Sequence, residues 1–243
     1  MVTIRLDKWL SHQGFGSRRE VNALIRSGRV QVNGKVVTIP KTAIAETDHV
    51  QCDTETIRYQ QYVYFLLHKP KGVLSATRDR RQTVLDLLRP EDRIRPLFPV
   101  GRLDRDTTGL VLLTDDGRLA HALLSPRRHV EKEYFAEVDI PIDEALIARF
   151  AEGIHLQPEN ILTRPAQLSM RQDGRVSVII TEGKYHQVKR MFAAGNRTVL
   201  SLHRHRMGPL ELDDDLAEGQ YRPLSEEEIE QLRIAAGQRP EGA

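Results

Sequence analysis

The chain holds a single cysteine, Cys52, among 243 residues. That excludes an intramolecular disulfide and a cysteine metal cage. Aromatic residues are few, at 5%. No stretch approaches the ~20 consecutive apolar residues of a membrane-spanning helix. The first ten residues, Met-Val-Thr-Ile-Arg-Leu-Asp-Lys-Trp-Leu, place charges where a secretory signal needs an apolar centre. There is no internal repeat, no low-complexity tract, no glycine-rich phosphate loop and no nucleotide-cofactor fingerprint. His203 and His205 fall on one face of a strand, as zinc ligands do, but no third ligand has suitable spacing. Asp213-Asp214-Asp215 reads as an acidic turn rather than a magnesium site. These absences leave a soluble, cytoplasmic protein with no metal and no cofactor as the expectation.

Charge is nearly balanced, with 36 Lys and Arg against 34 Asp and Glu and a formal net charge of +2. Bulk charge therefore points to no partner, but its distribution does. Arginine and lysine cluster at Arg18-Arg19, Arg78 to Arg81, Arg93 and Arg95, Arg127-Arg128 and Lys189-Arg190, whereas acid collects at Asp213 to Asp215 and Glu226 to Glu228. Such separation can create a basic face on a nearly neutral protein. Hydrophobic content of 40% suffices for a packed core.

The N-terminal part reads as a small module. Ile4 to His12 has a helical pattern, with Leu6, Trp9 and Leu10 on one side. Ser17-Arg18-Arg19-Glu20 is a capping box. It opens a helix carrying Val21, Leu24 and Ile25 on one face and closing at Gly28. Alternating valines around Asn33-Gly34 predict a hairpin. A boundary is expected where polar residues 54–62 precede a new apolar run. Beyond it, strands are expected over Tyr62–Leu67, Lys132–Ile140 and Thr198–Met207, and a hairpin pairs Ala166–Met170 with Arg175–Thr181. Helices are expected over Arg118–Leu124, Asp143–Glu152, Gln187–Ala194 and, after a second capping box at Ser225 and Glu228, through about Ala235. Many strands, few helices and several hairpins define an α+β chain with a mixed, mainly antiparallel sheet.

Three segments carry chemistry. In Gly101-Arg102-Leu103-Asp104-Arg105-Asp106-Thr107-Thr108-Gly109, a polar cluster precedes an apolar run that ends in an Asp-Asp-Gly turn, the pattern of a buried strand. An ordinary Asp has a pKa of about 3.9, so Asp104 is ionised at neutral pH and ready as nucleophile or base. Read alone, it is equally a structural carboxylate paired with Arg102 or Arg105. In Glu131-Lys132-Glu133-Tyr134, period-2 alternation puts Lys132 and Tyr134 on one strand face. Tyr134 alone reads as a core aromatic with a satisfied hydroxyl. Glu182-Gly183-Lys184-Tyr185-His186-Gln187-Val188-Lys189-Arg190-Met191-Phe192 is a glycine-bearing loop running into a short basic helix.

Together these segments resemble the pseudouridine synthases, in the branch that modifies ribosomal RNA, and residues 3–50 resemble the S4 RNA-binding domain. The resemblance runs from about Ile4 to Glu228. It is strongest to the small-subunit (16S) type, the RsuA family, through Gly183 to Ala194 and Leu202-His203-Arg204. Large-subunit relatives usually carry Asn-Arg where Tyr185-His186 stand. The resemblance implies an S4-like domain over residues 1–58, a catalytic domain over 59–236 and a frayed tail over 237–243. It implies isomerisation of one uridine of 16S ribosomal RNA during small-subunit maturation, with no cofactor. By motif it makes Asp104 the catalytic residue and Tyr134 the active-site tyrosine that stacks on the base. It makes Lys189 the cation paired with Asp104, with Arg190 as the alternative. Many relatives have Arg at that position, and Lys is a point charge rather than a fork. His68 in His68-Lys69-Pro70-Lys71-Gly72 replaces the family's usual Asn, so that segment is given only a supporting role, bracing the catalytic loop. A segment at Ala193–Asn196 is shorter than in many relatives.

The expected RNA contacts are Arg18, Arg19, Arg26, Arg29, Arg102, Arg127, Arg128 and Arg190. The expected partner is 16S ribosomal RNA in a partly assembled subunit, met by a monomer away from any membrane. The rival readings are a large-subunit target, a non-catalytic assembly factor and a base-releasing hydrolase, which would need a second catalytic carboxylate.

Overall fold

The computed structural model describes residues 3–57 and 60–238. By its packing the chain forms two compact units. One runs to Tyr62 and takes in Leu88–Pro96; the other holds Val63–Leu87 and everything from Leu97 on.

The first unit begins with β1 (Thr3–Arg5), α1 (Leu6–His12) and α2 (Arg18–Arg26). The helix expected from Ile4 starts two residues later, because Thr3–Arg5 pairs in antiparallel register with β4 (Ala43–Ala45). The Ser17–Glu20 capping box forms in full, and Gly28 follows the helix at φ +75°. Between the helices and β4 lie β2 (Val30–Val32) and β3 (Lys35–Val36). They turn through Asn33 and Gly34, both at positive φ, as a tight hairpin of this type requires. Then β5 (Val50–Cys52) and β6 (Glu55–Ile57) complete a sheet of order β3-β2-β5-β6. Leu6, Trp9, Leu10, Val21, Ile25, Val30, Ile44 and Val50 form its core, all essentially inaccessible. Cys52 belongs to this core, and burial pushes its thiol up.

The second unit is built on nine strands. In chain order come β7 (Tyr64–Lys69), β8 (Phe98–Val100), β9 (Thr108–Thr114), α3 (Gly117–Leu124), β10 (Lys132–Val138) and α4 (Glu144–Glu152). A two-stranded ribbon, β11 (His155–Leu156) and β12 (Ile161–Leu162), leads to β13 (Gln167–Met170), β14 (Val176–Ile180) and α5 (Gln187–Ala194). The chain ends with β15 (Val199–Met207), β16 (Leu210–Glu211), β17 (Tyr221–Pro223) and α6 (Glu226–Ala235). The sheet order is β13-β14-β10-β15-β9-β7-β17, with β16 on β15 and β8 on β9. Every pairing is antiparallel except β9 with β15, which are parallel. The mixed, mainly antiparallel sheet is thus as expected. Leu110 to Leu113 of β9 are inaccessible, which is why this run is continuous rather than alternating. Asp116 caps α3 through the N–H groups of Arg118 and Leu119, and the second capping box, Ser225 with Glu228, opens α6. After α6 the N–H groups of Gly237 and Gln238 close the helix on Ile234 and Arg233. The remainder of the expected frayed tail, 239–243, lies outside the described residues. Among the described residues no helix is long and apolar enough to cross a membrane.

The parallel seam consists of two register pairs, His203–Thr108 and Arg204–Gly109. Gly109 sits at φ +106°, and a Cβ there would run into the Arg204 backbone. Gly109→Ala should therefore lower stability by about 2–5 kcal/mol, from backbone strain and overpacking together. Chemical denaturation of the two proteins checks this, and an unchanged midpoint would refute it.

Candidate active site

Asp104 lies in the loop that feeds β9, with a quarter of its side chain exposed. The loop is pinned from beneath. Lys69, at the end of β7 and wholly inaccessible, donates to the carbonyls of Thr107 at 2.8 Å and Pro70 at 3.0 Å, with Arg105 O at 3.4 Å. The Gly72 N–H donates to Arg105 O at 2.7 Å, and Arg105 Nε returns to Gly72 O at 3.1 Å. The expected brace is real, but Lys69 and Gly72 form it. His68 points elsewhere, its Nδ1–H donating to Leu216 O at 2.7 Å.

Strand registers sort the neighbouring residues by face. Lys69 opposes Gly109, Gly109 opposes Arg204, and Arg204 opposes Tyr134, so these lie on one side. Lys132 shares that side with Tyr134 through its pairing to β14. Tyr134 on that side is buried, at 8% exposed. Arg204 is 2% exposed, and its Nε donates to Leu110 O at 2.7 Å.

Helix α5 supplies the cation. Val188, Met191 and Phe192 turn inward, and the Phe192 ring meets Phe150 of α4 at 5.1 Å. Successive residues of a helix point about 100° apart, so Lys189 and Arg190 diverge. Lys189 Nζ lies 3.2 Å from Asp104 Oδ2 and 2.5 Å from Asp106 Oδ1. Arg190 turns away to Glu159 and to the carbonyls of Gln157 and Tyr185. It therefore braces a loop, a different setting from the open RNA contact expected of it. The other oxygen of Asp104 faces His186, with Nε2 3.3 Å from Oδ1.

His186 escaped sequence reasoning because it sits just before α5 in a left-handed conformation, φ 47° and ψ 35°, which no periodicity announces. Its loop is tied down from behind. Glu182, nearly buried, accepts from Arg164 N–H and from Gln187 Nε2, and it pairs with Lys184.

Electrostatics follow from these contacts. The hydrogen bond from Lys189 holds the Asp106 carboxyl below its usual range. Burial pulls the Lys189 ammonium down, but Asp106 and Asp104 together outweigh it and raise it. Burial lowers Lys69 to about 8, against the pull of Asp106 and Asp104. Lys132 is likewise lowered to about 8, by burial first and Arg204 second.

The remaining arginines are dispersed. Arg18, Arg19 and Arg26 are exposed on α2, and Arg29, also exposed, is bonded to Asp53. Arg102 is exposed beside Asp104, and Arg127 and Arg128 are exposed on a 3-10 turn after α3. On the opposite sheet face, His203 is bonded to Thr108 at 2.9 Å and sits 5.3 Å from the His68 ring. Burial lowers His203 to about 4, so it is neutral at physiological pH. Among the described residues no group of three or more His, Cys, Asp or Glu side chains is arranged to hold a metal.

A carboxylate at a strand mouth, met by a lysine and an imidazole, is suited to nucleophilic or base chemistry, and known proteins give the class. The profile of the RNA pseudouridylate synthases matches residues 63–194 and that of the S4 domain matches residues 4–50. The chain belongs to the RNA pseudouridylate synthase family. It is 44% identical to the ribosomal small subunit pseudouridine synthase A of Yersinia pestis, over 93% of this chain and 97% of that one. It is 43% identical to a Bacillus subtilis protein called uncharacterized RNA pseudouridine synthase YtzG, over 94% and 98%. A crystal structure of a pseudouridylate synthase aligns with a TM-score of 0.67 at 40% identity, covering 94% of this chain and 99% of that one.

The lowered Lys132 has a sign that can be checked. A lysine whose folded pKa lies below its unfolded value binds fewer protons when folded, so stability rises with pH between the two values. Lys132→Met removes that dependence. The stability of the variant relative to the wild type should therefore be greatest below pH 8 and decline steadily from pH 8 towards 10.5. Denaturant midpoints across that range test it, and a flat difference would show that Lys132 is not destabilised by burial.

Proposed function

We propose that the protein isomerises one uridine of small-subunit (16S) ribosomal RNA to pseudouridine, with Asp104 as its catalytic carboxylate. The observation that carries this is the Asp104 carboxylate held at the mouth of β9 between Lys189 and His186. The small-subunit target is supported by the relative named for it. In the reaction the N1–C1′ bond breaks and a C5–C1′ bond forms. C5 gives up its proton and N1 gains one, so no atoms are added overall. A carboxylate such as Asp104 suits any of three routes: attack on C1′, addition to the pyrimidine ring or abstraction of the 2′ hydrogen.

In this reading Lys189 orients Asp104, and Tyr134 stacks on the target base. A stacked uridine is out of reach and must be extruded, at a cost of a few kcal/mol. The residues of the S4-like domain, 1–58, with Arg18, Arg19, Arg26 and Arg29, hold the RNA, and residues 59–236 carry out the chemistry. The arginine-rich loops at 78–81 and 127–128 hold the opened RNA, and Arg102 contributes a further RNA contact. The protein acts in the cytoplasm as a monomer, on a partly assembled subunit, with no cofactor.

Pseudouridine mapping tests this, with wild type and Asp104→Asn offered naked small-subunit RNA and partly assembled particles. The expected result is one new pseudouridine with wild type and a rate at least ~10³-fold lower with Asp104→Asn. No modification of any small-subunit substrate, with RNA binding intact, would overturn the assignment of target. Undiminished modification by Asp104→Asn would overturn the assignment of Asp104.

A further inference from the structure

Among the large apolar and aromatic side chains exposed in the described residues, Tyr185 is the most open, at 74%. Its position is not random. Its ring stacks on His186 with centroids 3.8 Å apart and planes at 20°. His186 in turn reaches Asp104. One ring face of Tyr185 is thus covered by an imidazole that touches the reacting carboxylate, and the other face is open to solvent.

The support behind this pair is stiff. Lys184 N–H donates to Gln187 Oε1 at 2.8 Å, and Gln187 is anchored on the nearly buried Glu182. Arg190 donates to the Tyr185 carbonyl at 3.2 Å. His186 is held in the left-handed region, a conformation that costs free energy in a non-glycine residue and persists where surroundings enforce it. A ring fixed in this way loses little freedom on binding.

We propose that Tyr185 and His186 form a nucleobase ledge at the rim of Asp104, on which the base of a nucleotide adjoining the target uridine stacks. The inference rests on the RNA-modifying reading above and adds to it the residue that receives the neighbouring base. Extruding a uridine strips its neighbours of a stacking partner. An open aromatic face replaces that partner without reading sequence, because every base has a π-face. The occupant is a nucleic-acid base rather than a protein surface, because whatever covers Tyr185 lies one imidazole away from Asp104. Through His186 the ledge also sets the distance between the stacked base and the carboxylate.

Tyr185→Ala and Tyr185→Phe decide the matter. Tyr185 is exposed, so both variants should fold as the wild type does, which a thermal melt verifies. Two quantities are read with small-subunit RNA at one fixed salt concentration: binding affinity, and the RNA concentration that half-saturates pseudouridine formation. Tyr185→Ala should weaken both by about 5- to 100-fold, and Tyr185→Phe, which keeps the ring, should restore them. Wild-type affinity and half-saturation in Tyr185→Ala would overturn the ledge. So would an equal loss in Tyr185→Phe, which would assign the effect to the hydroxyl. If the wild type forms no pseudouridine, the enzymatic reading fails, and the affinity comparison alone still decides the ledge.

Discussion

At His203–Thr108 and Arg204–Gly109 two antiparallel half-sheets meet side by side in the same direction. Only two residue pairs make this seam, so other contacts must secure it. Arg204 supplies one, crossing beneath the seam to the Leu110 carbonyl. Lys69 supplies the other, gathering loop carbonyls from the far side of β9. Gly109 permits the close approach because it has no side chain to clash with the Arg204 backbone. The loop bearing Asp104 leaves directly from this seam. Its position is fixed by the sheet together with its own turn, in which the Thr107 N–H donates to Asp104 O at 3.1 Å, and a braced loop holds geometry better than a free one.

The charges around Asp104 are not there for stability. Two carboxylates share one lysine, and all three groups are partly wet. At an effective dielectric near 20, opposite charges ~3 Å apart attract by about 5 kcal/mol. Solvent reaching the pair screens much of that, and ordering the side chains offsets more, so the net gain is small. What the cluster does provide is orientation. Lys189 approaches one oxygen of Asp104 and His186 the other, so the carboxylate plane is set before substrate arrives. Asp106 takes the shorter contact with Lys189, so the two carboxylates share one cation.

Much of this was legible in the residues. Capping boxes at Ser17 and Ser225 announce their helices because they are local hydrogen-bond devices. Helix α5 covers the residues its pattern predicts, 187–194. The apolar run of β9 reads as buried because it is. What stayed hidden depends on distant partners. Ile4 and Arg5 look helical until β4, some forty residues away, claims them for a strand. Lys69 appears as a surface cation in a loop signature, yet burial makes it the brace of the Asp104 loop. The choice between Lys189 and Arg190 turns on 100° of helix rotation, which a basic dipeptide alone does not orient. His186 reaches Asp104 only through a backbone conformation that sequence patterns favour for glycine or asparagine.

The sheet also divides charge by the alternation of its strands. His68 and Lys69 are neighbours, as are His203 and Arg204, and each pair sends its members to opposite faces. The imidazoles gather on one side, where His68 and His203 lie edge to face and His203 is neutral. Three buried cations, Lys69, Lys132 and Arg204, share the other, while Arg171 and Arg175 cover the Phe135 ring on the imidazole face. Burial lowers both lysines to about 8, still mostly protonated at neutral pH, so they project a positive potential through a poorly screening interior. Surface arginines would be blunted by salt over a Debye length of about 8 Å; buried cations are screened much less. A net charge of only +2 therefore conceals local fields that composition does not show.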